Sequence, residues 1–197
     1  MSNRKTDRPT QQEAEDAVRV LLRWIGEDAG RAGLKRTPTR VINSFEDWFA
    51  GYQIDPYELL SSSFQEVKDF DRIVTLTGID FSSHCEHHMA PILGTIHLAY
   101  LPDKRLAGIS KLVRVVEAFT RRLQVQERLT SEIARCIDDI LKPRGVAVVV
   151  EAQHQCMTTR GVNKTDVKMV TNEMLGAFLE DDRVRNEFLG AIGKPAI

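Results

Sequence analysis

Apolar residues recur along this chain with two distinct periods. Ala14, Ala17, Val18, Leu21, Leu22 and Ile25 return every three or four positions, which predicts an amphipathic helix over about 13–28. A second helix starts at Thr37 as N-cap with Pro38 at the first helical position, and Val41, Ile42, Phe45, Trp48 and Phe49 form its apolar face. Gly51 is its expected stop, and residues 52–70 read as a turn-rich surface crossing. The period then shortens. Ile73 to Thr77 is rich in β-branched residues, and between Thr95 and Leu101 the apolar Ile96, Leu98 and Tyr100 alternate with the others, so both read as strands. Helical spacing returns with Ser110 as N-cap and Leu112, Val113, Val116, Phe119 and Leu123 over 111–125, and again over 130–141. Val146 to Ala152 reads as a strand buried on both faces, Val167 to Thr171 as another strand, and Asp181 or Asp182 caps a last helix. Helices and strands in segregated runs argue for an α+β domain with a largely antiparallel sheet.

Composition narrows the class. With 197 residues, the chain has room for roughly one domain and a substantial core. At 42% hydrophobic and 28% charged it is an ordinary globular composition. A net charge of -1 argues against a general nucleic-acid binder. Met1 to Gln12 is polar, with no apolar signal core, and reads as a tail; no apolar run is long enough to cross a membrane. Three cysteines, an odd number, disfavour a disulfide framework, so a reducing cytoplasmic setting is expected. There, spaced Cys and His residues point to metal or catalysis.

All five histidines lie between positions 84 and 154. Three occur in His84-Cys85-Glu86-His87-His88, and another in His154-Gln155-Cys156. Cys85 and His88 have the C-x-x-H spacing that closes two ligands on one ion, with Cys156 as a third. Two thiolates and one imidazole suit zinc, and three protein ligands leave the fourth position open, as in catalytic sites. The alternative is that Cys85 and Cys156 are small buried hydrophobes and the histidines ordinary polar residues. His87 and His154 remain beside the metal as candidate acid-base groups for hydrolysis at an electrophilic carbon. Cys136 lies on the apolar face of Ile133, Ile137 and Ile140 and reads as core.

The near-zero net charge hides a local bias. Between 104 and 128 there are seven basic residues against Glu117 and Glu127. Lys111 and Arg114 fall in the first turn of a helix, where backbone N–H groups favour anions, and Arg160 can join them. A polyphosphate suits such a set, and a solvated helix face is the competing explanation. Glu127, beside Gln126 and Gln124, can accept two N–H bonds from a purine edge.

Together these segments resemble the GTP cyclohydrolase I family. The resemblance runs from about Thr37 to the last helix. It rests on Cys85-Glu86-His87-His88, the run from Gly108 to Arg114, the run from Arg122 to Thr130, His154-Gln155-Cys156-Met157 with Arg160-Gly161-Val162, and the run from Arg36 to Val41. It implies Cys85, His88 and Cys156 as ligands of one zinc per subunit, and His87, His154 and Ser110 as catalytic. It implies Glu127 and Gln126 at the guanine, and Lys111, Arg114, Arg160 and Arg40 at the triphosphate. The reaction implied converts GTP and water to 7,8-dihydroneopterin triphosphate and formate, the first step of tetrahydrofolate and pterin synthesis. The fold implied is the tunnelling fold, with an antiparallel sheet, helices packed on one side and a helical N-terminal segment. The expected division is a tail over 1–12, a helical segment over 13–70 and a catalytic region over 71–197. A homodecamer with sites at subunit interfaces is implied; a feedback regulatory partner is left unknown.

The sequence departs from the family pattern at Gln155, Thr159, Met169, Asn172 and His84, none of them a metal or catalytic position. His84 raises the question of alternative metal ligation. The competing functions are the nitrile reductase of queuosine synthesis on the same fold, which needs a nucleophilic Cys and a nicotinamide cofactor, and a non-catalytic zinc-stabilised protein. A zinc deaminase is disfavoured, because its H-x-E and P-C-x-x-C pair is missing.

Overall fold

The computed structural model describes residues 8–61, 64–66 and 70–194. The chain divides into two compact units, Met1–Phe49 and Ala50–Ile197. In the first unit, α1 (Gln11–Trp24) and α2 (Thr37–Trp48) pack on each other. Thr10 and Glu13 close a reciprocal capping box at the start of α1. The helix thus begins inside the expected tail, whose first seven residues lie outside the described ones. Pro38 sits in the first turn of α2, with Arg36 rather than Thr37 at the cap.

In the second unit, a short 3-10 turn (Ala50–Gln53) leads to α3 (Pro56–Ser61), inside the stretch expected to be turns. Asp55 Oδ1 accepts from the N–H groups of Tyr57 (2.9 Å) and Glu58 (3.2 Å), so the Asp-Pro pair that reads as a turn is a helix start. The backbone of β1 (Phe64–Glu66) pairs antiparallel with β4 (Arg105–Ala107). Residues 62–63 and 67–69 of that expected crossing lie outside the described residues.

The main sheet holds β2 (Val74–Cys85), β3 (Pro91–Leu101), β5 (Leu123–Gln124), β6 (Gly145–His154) and β7 (Met169–Gly176) in the order β5-β2-β3-β6-β7. Every pairing is antiparallel except the short parallel contact of β5 with the end of β2. That contact also explains why α4 (Ile109–Thr120) ends before the expected position 125. Leu123 and Gln124 leave the helix to pair with His84 and Cys85. α5 (Gln126–Leu141) begins directly after this strand.

β6 is covered on both faces, as its unbroken apolar run requires, so helices pack on both sides of the sheet and not on the one side expected. Val146, Val148, Val150 and Ala152 enter the large core with Leu112, Val116, Ile133 and Ile137 of α4 and α5. Ala147 and Val149 face a smaller core with Phe178 of α7 (Ala177–Glu180) and Phe188 and Leu189 of α8 (Asp182–Ala191). Each large apolar side chain buried this way contributes about 1.5–3 kcal/mol. Cys136 is fully buried in the large core, and burial pushes its thiol up to about 12.

The β3–β6 register decides which residues meet at each end of the sheet. It pairs Leu101 with Gly145 at one end and Ile92 with His154 at the other. Gly94 lies against Ala152, where a Cβ would stand 2.1 Å from the Glu151 carbonyl oxygen, so only glycine fits.

Candidate active site

One end of the sheet collects the chemistry. β2 ends at Cys85, β3 begins at Pro91, β6 ends at His154 and β7 begins at Met169. The loop between β2 and β3 is a tight turn in which Cys85 O accepts from Met89 N at 2.8 Å and Cys85 N donates to Ala90 O at 2.8 Å. Met89 takes a left-handed φ of 53° to close it. The turn folds His87 and His88 back over Cys85, with Cys85 Sγ 3.7 Å from His87 Nδ1 and 3.9 Å from His88 Nδ1. Because β6 lies beside β3, the short helix α6 (Gln155–Thr158) carries Cys156 to the same place.

One metal-binding atom from each of Cys85, His88 and Cys156 lies within 4.8 Å of the others. This is the only such group of three among the described residues, and His84 is not in it. His84 is buried on β2, and burial holds its imidazole below the usual histidine range. The donor set fits a metal ion: two thiols and one imidazole converge, and His87 stays outside the trio. Burial pushes the Cys156 thiol up, and the neighbouring Cys85 adds to this. Two close sulfur donors resist ionising together, and a cation between them removes that resistance.

A pocket of about 200 Å³ opens beside this trio. It is lined by Cys85, His87, His88, His154 and Cys156, by Gln124 to Glu127, and by Met169. Glu127 lies in the first turn of α5, where the helix dipole favours a carboxylate. Burial lowers the His154 imidazole, and the Glu127 charge opposes that shift. Arg160 Nη1 is 2.8 Å from His88 Nε2 and, having only donors, gives the hydrogen.

Of the residues singled out in the sequence, the fold therefore brings together Cys85, His87, His88, Gln126, Glu127, His154 and Cys156, with Arg160 at the His88 edge. It does not bring Ser110, Lys111 and Arg114 into this lining. They stand in the first half of α4, about 9–15 Å along the helix from the end that leads to β5. Arg40 belongs to α2 of the N-terminal unit.

Sequence reasoning missed other members. Thr130 and Thr171 support Gln126 from within, and Arg128 ties Glu86 of the ligand loop to α5 at 2.5 Å. Only the spacing of Gln126 and Thr130 on one helix hinted at the first. The Arg128 contact crosses between elements, and no local signal marks it.

The sequence model of the GTP cyclohydrolase I family matches residues 14–193. The chain belongs to the GTP cyclohydrolase I family. GTP cyclohydrolase 1 of Maricaulis maris (strain MCS10) is 49% identical over 182 residues, 92% of this chain and 89% of that protein. GTP cyclohydrolase 1 of Sinorhizobium fredii (strain NBRC 101917 / NGR234) is 51% identical with the same coverage. Among solved structures, the archaeosine synthase QueF-Like in the apo form gives a TM-score of 0.43 at 15% identity, covering 55% of this chain and 97% of that one. The α+β tunnelling fold expected for a GTP cyclohydrolase I family member is the fold that this sheet and its helices form. Among the described residues no helix is long and apolar enough to cross a membrane.

Proposed function

We propose that this chain is a cytoplasmic zinc enzyme that converts GTP and water to 7,8-dihydroneopterin triphosphate and formate, the first step of tetrahydrofolate and pterin synthesis. One observation carries the reading: in a chain of this family, three convergent metal donors share a pocket with two further histidines and a carboxylate. Cys85, His88 and Cys156 would hold the zinc, which supplies a Lewis acid able to make water nucleophilic near neutral pH.

The other residues divide the remaining work. Glu127 accepts N–H bonds from the guanine edge and orients the base. Water adds to C8, and His87 gives a proton to the imidazole-ring nitrogen of the purine as its bond to C8 breaks. C8 is left as a formamide, and a second hydrolysis releases it as formate. The ribose then opens, rearranges and closes on the freed amino group, steps that need protons moved by His154 and Ser110. Lys111, Arg114, Arg160 and Arg40 bind the triphosphate and hold the base over the metal.

Ser110, Lys111 and Arg114 do not line the pocket of their own chain. A neighbouring subunit would supply them, in the homodecamer that the family resemblance implies. Relatives about 50% identical over nine-tenths of the chain favour this reaction over nitrile reduction. The test is incubation of the purified protein with GTP and zinc. Formate and a pterin that fluoresces after oxidation are expected. A zinc-free protein that leaves GTP intact and consumes NADPH with a deazaguanine nitrile would refute the reading.

A further inference from the structure

Resting on the reading of His154 as a proton carrier, we infer that Gln126 is a positioning residue that fixes which ring nitrogen of His154 faces the substrate. The geometry leaves one arrangement. Gln126 is buried, only 1% exposed, and its Nε2 lies 3.1 Å from Val150 O and 3.0 Å from Met169 O. Backbone carbonyls only accept, so the atom facing both must be the amide nitrogen. The side-chain oxygen must then point the other way, where it lies 2.8 Å from His154 Nε2. An amide oxygen only accepts, so His154 Nε2 carries the hydrogen.

A hydroxyl pair supports the same orientation. Thr130 Oγ1 donates to the Gln126 backbone oxygen at 2.8 Å. Its hydrogen is thus engaged, and in the 2.7 Å contact between the two threonines Thr171 is the donor. That turns a Thr171 lone pair toward Gln126 Nε2, 3.2 Å away. Two backbone carbonyls and a pair of hydroxyls therefore hold one amide in one orientation, and a buried amide that flips would set its oxygen against two carbonyls.

The neutral imidazole is thereby held as the Nε2–H form, and Nδ1, on the ring that lines the pocket, is the free lone pair. Nδ1 is then the ring nitrogen of His154 left available to the substrate. Gln126 acts through His154 and need not touch the base.

Neutron diffraction from deuterated, zinc-loaded crystals tests this directly. A deuteron on His154 Nε2 directed at Gln126 is expected; a bare Nε2 overturns the inference. This measurement does not depend on turnover of GTP, so it separates failure of the positioning role from failure of the proposed reaction. The kinetic counterpart is Gln126→Met, which keeps length and removes the acceptor. Formation of the final pterin should fall at least about tenfold further than formate release does. Equal loss in both steps would show a merely structural role. Diffraction from the unaltered enzyme decides the matter even if that variant does not fold.

Discussion

Cys156 and Cys136 allow the same substitution to report two different physical roles. Cys156→Ala removes one of three donors that lie within 4.8 Å of one another. Changing an outer-shell partner of a metal ligand already costs 10–100-fold in affinity, so losing a ligand should cost at least about 100-fold. The fold should survive, because Cys156 is only partly buried on a four-residue helix, a setting where substitutions shift stability by about 0.5 kcal/mol. Cys136→Ala should do the reverse. Its sulfur is fully buried in the core that holds Ile133 and Ile137, and deleting a group of that size costs about 1 kcal/mol plus a cavity contribution. For a chain of this length that is a fall in Tm of about 2–4 °C per kcal/mol. Zinc content by mass spectrometry after dialysis, formate release and thermal melting separate the two. Cys156→Ala should be metal-poor and inactive and should melt like the metal-stripped wild type, and Cys136→Ala should be metal-replete, active and less stable than the wild type. A zinc-replete, fully active Cys156→Ala would refute the ligand assignment.

The same geometry sets other outcomes. Glu127→Gln should raise KM for GTP by at least about tenfold, since a charged acceptor is lost, while zinc content is unchanged; unaltered GTP binding would exclude Glu127 as the base anchor. Gly94→Ala forces a Cβ against the Glu151 carbonyl, and overpacking of this kind costs about 1–3 kcal/mol; a lowered Tm with weaker zinc retention is expected, and a normal melt would contradict the close approach. The Cys136 thiol is raised from 9.0 to about 12 in the folded chain, so it should resist alkylation at pH 8 until the protein unfolds. Because the unfolded chain ionises this thiol first, stability is unaffected below pH 9 and declines between pH 9 and 12 by up to about 1.4 kcal/mol per pH unit, measurable by denaturant titration against Cys136→Ala.

Elements with a strong period, such as α1, β3, β6 and α8, are legible in the sequence because their burial follows a repeating pattern. Other elements depend on distant partners. The second half of β2 contains Ser82, Ser83 and His84, whose polar side chains give no strand period, yet it pairs residue by residue with β3. α5 begins at Gln126 rather than near 130, because the polar Gln126 is buried by hydrogen bonds that a hydrophobic period does not register. The site divides in the same way. Cys85, His88 and Cys156 are chemically distinctive at fixed spacing and stand out at once. Thr130, Thr171 and Arg128 are common residues whose importance comes only from what they meet.

The β3–β6 register also has a consequence for how the chain reaches its native state. The two cysteine donors lie far apart along the chain and approach only when β2, β3 and β6 are aligned without slippage. A slip of one residue would turn every β6 side chain to the opposite face and move the end of the strand away from Cys85. Such non-local pairing forms late, after the loop-closure entropy has been overcome. A metal ion that needs both cysteines therefore binds only the chain with the correct register. It stabilises that register by mass action over every slipped alternative. On the proposed reading, the ion that would serve the chemistry would also select, during folding, the one alignment of the sheet in which that chemistry is possible.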